Sequence, residues 1–192
     1  MGFCFACGAQ LTEQVLENRT RLMCDHCGWV HYPQLKVSAA ALITEDDRIL
    51  LARRSHDPWR ECWYLPAGYV EADEDPEEAA IREVFEEVGL RIAITRLWKV
   101  YYFDDDPRGN GILIVYRCSV QAGILTTSAE IDGFEYFSKD QLPELIAGAG
   151  HRQAGQAVRR PGPCTPVCGG QQSYLAQLQG ADRDVRGERG VN

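Results

Sequence analysis

Residues 65–90 read LPAGYVEADEDPEEAAIREVFEEVGL. Glu83, Glu86 and Glu87 lie within five residues of one another. Like charges three or four apart on a helix repel by roughly 0.2–0.5 kcal/mol per pair, so something must favour their gathering. The helix is clearly delimited. Asp75 suits the N-cap, Pro76 the first helical position, Glu78 the reciprocal place of a capping box, and Gly89 the terminus. At about 100° per residue, Ile81, Val84, Phe85 and Val88 share one face, while Glu83, Glu86 and Glu87 point the other way. The apolar stripe is expected to pack and the acidic face to be presented as a unit. A merely solvated acidic face favours lysines at i+4, and none is interleaved here. The loop upstream adds a glycine and two further carboxylates, Glu71 and Glu74. Helix carboxylates beside a loop carbonyl are hard oxygen donors, suited to Mg2+ or Mn2+ and, through the ion, to substrate phosphates. Arg82, at the edge of the acidic face, is placed to pair with Glu74 and to orient a ligating glutamate.

Outward from this helix the chain alternates strands with turns. KVSAAALIT (36–44) predicts a strand, EDDR a turn, and ILLARR (49–54) its hairpin partner. WYLPAGYVE gives a short strand entering a glycine-containing loop. RLWKVYYF (96–103) and GILIVYRCSV (111–120) read as a strand pair across the acidic loop DDDPRGN, and GFEYFSKDQLPELI as a strand followed by a short helix. Many strands and few helices predict an α/β domain with a mixed sheet and helices on its faces. Three regions follow: 1–34, 35–147, and a Gly- and Arg-rich tail, 148–192, expected to be poorly ordered. From residue 151 on, the tail carries six Arg against three Asp or Glu, and only SYLAQLQ suggests a turn or two of helix.

The first region holds CFACG and CDHCG, so Cys4, Cys7, Cys24 and Cys27 form two CxxCG knuckles 16 residues apart. Four thiolates in this spacing are a closed tetrahedral zinc site, structural because no position is left for substrate. Glycine after each second cysteine permits the positive φ that turns backbone N–H groups toward sulfur. The competing reading is disulfides or idle thiols, and His26 is an alternative ligand. Cys62, Cys118, Cys164 and Cys168 show no ligand pattern. The 192 residues are 45% hydrophobic and 25% charged, with net charge −8. That balance disfavours nucleic acid as the main partner, and residues 1–34 offer only Arg19 and Arg21 as basic groups. No apolar run reaches the ~20 residues of a membrane span, and no signal peptide is evident, so a cytoplasmic protein is expected.

From Gly68 to Leu90 the pattern Gly, five residues, Glu74, seven residues, Arg82-Glu83-Val84-x-Glu86-Glu87-x-Gly89-Leu90 matches the Nudix box at every fixed position over 23 residues. Residues 35–147 therefore resemble a Nudix domain. The zinc ribbon in front makes the chain similar to the NADH pyrophosphatase-like branch. That resemblance implies an α/β/α sandwich and hydrolysis of a nucleoside diphosphate linked to another moiety, with Mg2+ or Mn2+. By the same analogy Glu83 and Glu87 are core metal ligands, Glu86 assists, the Ala67 carbonyl ligates, and Glu130 in AEIDGFEYF supplies a late carboxylate. Either Glu86 or Glu130 would be the base, and a homodimer is usual among relatives. A nucleotide-sensing module without catalysis would carry a broken box, and this one is intact.

The substrate is not set by the box. The signature SQPWPFPxS of NADH pyrophosphatases is missing from LWKVYYFDDDPRGNG, which leaves ADP-ribose, FAD and NADH as the expected class of ADP-containing substrates, cleaved to release AMP. Arg53 and Arg54, at a strand end, are candidates for a phosphate. Trp59, Trp63, Trp98, Tyr101 and Tyr102 are candidates for stacking on a ring, or else core residues of their strands.

Overall fold

The computed structural model describes residues 2–138 and 140–159. A small antiparallel sheet comes first: β1 (Thr12–Leu16), β2 (Arg19–Met23) and β3 (Val30–His31), in that order. Its core is a separate cluster of Cys4, Leu11 and Cys24, with Leu22 and Trp29 against it.

The second sheet has seven strands. They are β4 (Lys36–Glu45), β5 (Arg48–Arg54), β6 (Trp63–Tyr64), β7 (Ala67–Tyr69), β8 (Leu90–Phe103), β9 (Gly111–Gly123) and β10 (Ile131–Ser138). The main order is β10-β5-β4-β9-β8, with β6 on β5 and β7 on β4. Only β4–β9 is parallel, so the sheet is mixed. Strand β4 explains the layering, because successive side chains point to opposite faces. Ala39, Ala41 and Ile43 join one core with Ala80, Val84 and Val88 of helix α1 (Pro76–Val88). Ala40 and Leu42 join the other with Ala154 of helix α2 (Gly148–Arg159). The result is an α/β/α sandwich.

Helix α1 has its expected ends. Asp75 accepts from the N–H groups of Glu77 and Glu78 at 2.8 and 2.9 Å, and Glu78 accepts from the Asp75 N–H at 3.2 Å. Gly89 closes it at φ 74°, a left-handed conformation that favours glycine. The buried face is rotated from the one read by periodicity. Ala79, Ala80, Val84, Glu87 and Val88 are buried, whereas Ile81 and Phe85 are exposed. Glu87 thus sits inside the packed face, not on the presented one.

Two further expectations change. No helix forms over 140–146, because Pro143 removes an N–H and pushes Leu142 away from helical geometry. That segment runs beside β6 instead, with the Trp63 N–H donating to Leu145 O and the Ala147 N–H to Trp63 O, both at 2.8 Å. Residues 148–159, expected to be poorly ordered, form α2 against β8 and β9. The rest of that tail, including SYLAQLQ, Cys164 and Cys168, lies outside the described residues. No helix among the described residues is long and apolar enough to cross a membrane.

Candidate active site

The site is built where β7 meets α1. Gly68 of β7 carries no side chain, and a Cβ there would fall 2.0 Å from Glu83 Oε1. The glycine therefore leaves the volume that the Glu83 carboxylate fills. Arg82 holds the surrounding acids. Its Nε and one terminal nitrogen donate to both oxygens of Glu74 at 3.0 and 2.6 Å; the other donates to Glu83 at 2.7 Å and Glu86 at 3.0 Å. A fifth bond, to Tyr69 O at 3.1 Å, ties this fork to β7. The Arg82 guanidinium, with the Glu71 N–H, draws the Glu74 carboxyl down to about 2.

Glu87 lies one layer deeper, 2% exposed. It accepts from the Ala67 N–H at 3.0 Å and from the Tyr64 hydroxyl. Burial pushes its carboxyl up to about 8, with the charges of Glu83 and Glu130 adding to the rise. Burial likewise raises Glu83, with Glu86 and Glu130 contributing. These acids penalise one another's ionisation, and a divalent cation among them would reverse that penalty. The donors, carboxylates plus the nearby Ala67 carbonyl, suit a hard cation. Here Arg82, Tyr64 and Ala67 hold them.

A cleft of about 330 Å³ opens over this layer. Ala67, Gly68, Arg82, Glu83 and Glu86 line one side, and Glu130, ahead of β10, stands on the rim. Its carboxylate makes no hydrogen bond or ion pair with the described residues, while the Glu130 carbonyl accepts from Ser55 N at 3.0 Å. Arg54 also lines the cleft. Its Nε donates to Pro58 O at 2.9 Å, and its guanidinium lies over the Tyr64 ring at 5.4 Å and beside His56.

Two predicted substrate residues are placed elsewhere. Arg53 projects from the opposite face of β5, as strand alternation requires, and is bound to Asp132 at 2.7 Å over the Trp63 ring. Tyr101 is buried in the core under α2 and does not border the cleft. Trp59 alone of the aromatic candidates lines it. The cleft also gathers residues that local spacing did not single out. Asp106 and Arg108, from the β8–β9 loop, are paired at 2.7 Å, with Arg108 over the Tyr69 ring at 5.2 Å. Asp105 and His151 also line the cleft, His151 edge-on to the Tyr64 ring at 5.7 Å. The DDDPRGN acids were the visible signal for Asp105 and Asp106; His151 had none, since it arrives on α2.

The ribbon forms a second centre. Among the described residues, the sulfurs of Cys4, Cys7, Cys24 and Cys27 are the one group of three or more such ligand atoms within 4.8 Å of each other. Cys4 and Cys27 are 3.6 Å apart, Cys7 and Cys24 3.5 Å. A tetrahedron with Zn–S bonds of about 2.3 Å has edges of roughly 3.8 Å, so the quartet fits a thiophilic ion with little movement. The two knuckles are equivalent: Gly8 N donates to Cys4 O and Gly28 N to Cys24 O, both at 2.9 Å, with φ of 74° and 77°. The Cys27 N–H draws the Cys24 thiol down to about 7.

An α/β/α sandwich with helix-borne carboxylates facing a glycine-containing loop, joined to a four-cysteine ribbon, defines the class. The chain belongs to the Nudix family: the NUDIX domain matches residues 34–158, and the ribbon described as Nudix N-terminal matches residues 2–33. It is 39% identical over 110 residues to an ADP-ribose pyrophosphatase of Methanocaldococcus jannaschii, covering 57% of this chain and 65% of that one. It is 31% identical over 180 residues to the NAD-capped RNA hydrolase NudC of Pseudomonas aeruginosa, covering 88% of this chain and 60% of the relative. The chain thus spans 60–65% of the length of these two curated relatives. A crystal structure of a NUDIX hydrolase from Nitrosomonas europaea superposes with a TM-score of 0.70 at 26% identity, over 83% of this chain and 91% of that one.

Proposed function

We propose that the protein hydrolyses the pyrophosphate bond of an ADP-containing dinucleotide or nucleotide sugar, such as ADP-ribose, FAD or NADH, and releases AMP. Mg2+ or Mn2+ serves the cleft, and Zn2+ holds the ribbon. The observation that supports this reading is that Glu83, Glu86 and Glu130 line one cleft with Arg54, beside a glycine that leaves room for the Glu83 carboxylate. The names of the two relatives support it, since ADP-ribose and NAD share an ADP-ribosyl pyrophosphate.

Glu83, Glu86, Glu87, Glu130 and the Ala67 carbonyl would hold the cation, which when bound neutralises pyrophosphate oxygens and acidifies water. Arg82 fixes Glu83 and Glu86 through its fork. Tyr64 and Ala67 aim Glu87. Arg54, bound to no carboxylate, attracts the substrate phosphates. Glu130, its carboxylate unpartnered on the rim, takes the proton from the attacking water. Free nucleotides are favoured over RNA, because residues 1–34 carry two arginines against Glu13, Glu17 and Asp25. The unpaired thiols of Cys62 and Cys118 suit the reducing cytoplasm.

The test is a panel of ADP-ribose, FAD, NADH and an NAD-capped oligoribonucleotide with Mg2+ or Mn2+, products resolved by chromatography. AMP release from at least one small substrate is expected. No AMP from any small substrate with either metal ends the reading.

A further inference from the structure

Besides its glutamates, the cleft is bordered by a stack of two flat groups. The lower one is the ring of Tyr69, which follows Gly68 on β7. Tyr69 is fixed at both ends: its carbonyl accepts from Arg82 at 3.1 Å, and its hydroxyl accepts from Lys36 Nζ at 3.3 Å. The Arg108 guanidinium lies over the ring, 5.2 Å from its centroid, within the range of a cation–π contact. Asp106 holds it there. The Asp106 carboxylate accepts from Arg108 Nε at 2.9 Å, from one terminal nitrogen at 2.7 Å and from the Arg108 backbone N–H at 2.8 Å.

The upper face of this stack is open. The Asp106 side chain is 10% exposed, but that of Arg108 is 40% exposed and lines the cleft. With the ring beneath it and Asp106 along one edge, solvent reaches the guanidinium from the side away from Tyr69. The surface is planar and is held in place before any ligand arrives. Two uses compete for it. A phosphate needs the charge and a donor fork, but Asp106 already offsets the charge and takes up Nε and one terminal nitrogen. A flat heterocycle needs only the plane, and nucleobases stack on arginine planes as they do on aromatic rings. Tyr69 and Gly68 are neighbours on one strand and both line the cleft, so the platform adjoins the acids that would hold the cation.

We propose that Arg108 binds the substrate's nucleobase by stacking, its guanidinium held flat over Tyr69 by Asp106. This rests on the nucleotide reading above. Stacking tolerates any base, because every base has a π-face. The platform therefore separates nucleotides from sugar phosphates, not one base from another.

Isothermal titration calorimetry with Mg2+ present compares AMP with ribose 5-phosphate, which lacks the base. The wild type is expected to bind AMP roughly tenfold more tightly or better. Arg108→Ala should weaken AMP binding by roughly fivefold or more and leave ribose 5-phosphate within twofold, which also shows that the variant is folded. Arg108→Lys keeps the charge but not the plane, so it should lose AMP affinity as Arg108→Ala does. With ADP-ribose as substrate, both variants should raise KM by about the same factor and leave kcat within twofold. A wild type that binds AMP no more tightly than ribose 5-phosphate, or binds neither, overturns the proposal without any variant. So does an Arg108→Ala that keeps the wild-type affinity for AMP or loses both ligands alike. An Arg108→Lys that restores AMP binding overturns it too, since a point charge would then suffice. Because binding is read apart from turnover, a protein that prefers AMP through Arg108 but releases none from the substrate panel would sink the hydrolytic reading alone. One that releases AMP while Arg108→Ala binds it as the wild type does would sink only the role of Arg108.

Discussion

Gly68 and Glu87 do different work in the same few ångströms. Gly68 sits where any Cβ would overlap the Glu83 carboxylate. That carboxylate is the far end of a flexible side chain, so it can swing aside without disturbing the fold. Gly68→Ala is therefore expected to lower kcat at least a hundredfold while melting within a few degrees of the wild type, a contrast that turnover and thermal denaturation measure together. Glu87 is the stability counterpart. Its carboxyl is raised from 4.5 to about 8 by burial, so the folded chain binds a proton there that the unfolded chain releases. That stabilisation is complete below the ordinary carboxylate range and is lost as pH rises through about 8. His151 runs the other way, lowered from 6.5 to about 4, so its contribution is present above 6.5 and is lost as pH falls toward 4. The two slopes cancel between about pH 4.5 and 6.5, so metal-free protein in chelator should melt highest across that window and progressively lower above it. Glu87→Gln, a neutral isostere, should flatten the alkaline limb in melting scans and also abolish most AMP release. An alkaline limb unchanged in Glu87→Gln would show that another group causes it.

Among the elements, α1 and α2 show what a sequence can and cannot reveal. The ends of α1 were legible because caps are local: Asp75, Pro76, Glu78 and Gly89 act within one turn. Its orientation was not. Periodicity assigned Ile81 and Phe85 inward and Glu87 outward, but a carboxylate fits the packed face once Tyr64 and the Ala67 N–H receive it, and those partners come from β6 and β7. Helix α2 was missed outright. Gly148, Gly150 and Gly155 each cost about 1 kcal/mol of helix propensity, which makes GAGHRQAGQAVR read as loop. Tertiary packing decides instead, since Gly150 lets the helix approach Leu113 and Ala154 is buried beneath it. Arg152 then anchors α2 through Asp105 and the Ile146 carbonyl. Both side chains of the ion pair are partly exposed, so solvent screening limits its worth. Arg152→Met should cost about 1 kcal/mol, a fall in Tm of roughly 2–4 °C for a domain of this size, and should raise KM more than it lowers kcat. A melting curve indistinguishable from wild type would show that packing of α2 suffices without the clamp.

For the whole molecule, the ribbon and the sandwich are held by different forces. The sandwich has two buried cores, one on each face of its sheet. The ribbon has three buried residues, two of them cysteines, and a core that small does not outweigh the chain entropy of about 30 residues. Its folding energy must come from metal binding, which in sites of this kind is folding energy. Its sheet and core cluster are its own, and the carboxylates of the cleft all belong to residues beyond 66. A strong zinc chelator should therefore release one equivalent of Zn2+ and unfold the ribbon. The main thermal transition should stay within a few degrees, and AMP release should persist once excess Mg2+ is restored. Cys24→Ser should reproduce this state without chelator. Amide exchange locates the change: protection should vanish over residues 12–31 and survive in β4, β9 and α1. Loss of protection in both regions together would mean that the ribbon is a structural part of the catalytic unit, and the division drawn at residue 34 would then be wrong.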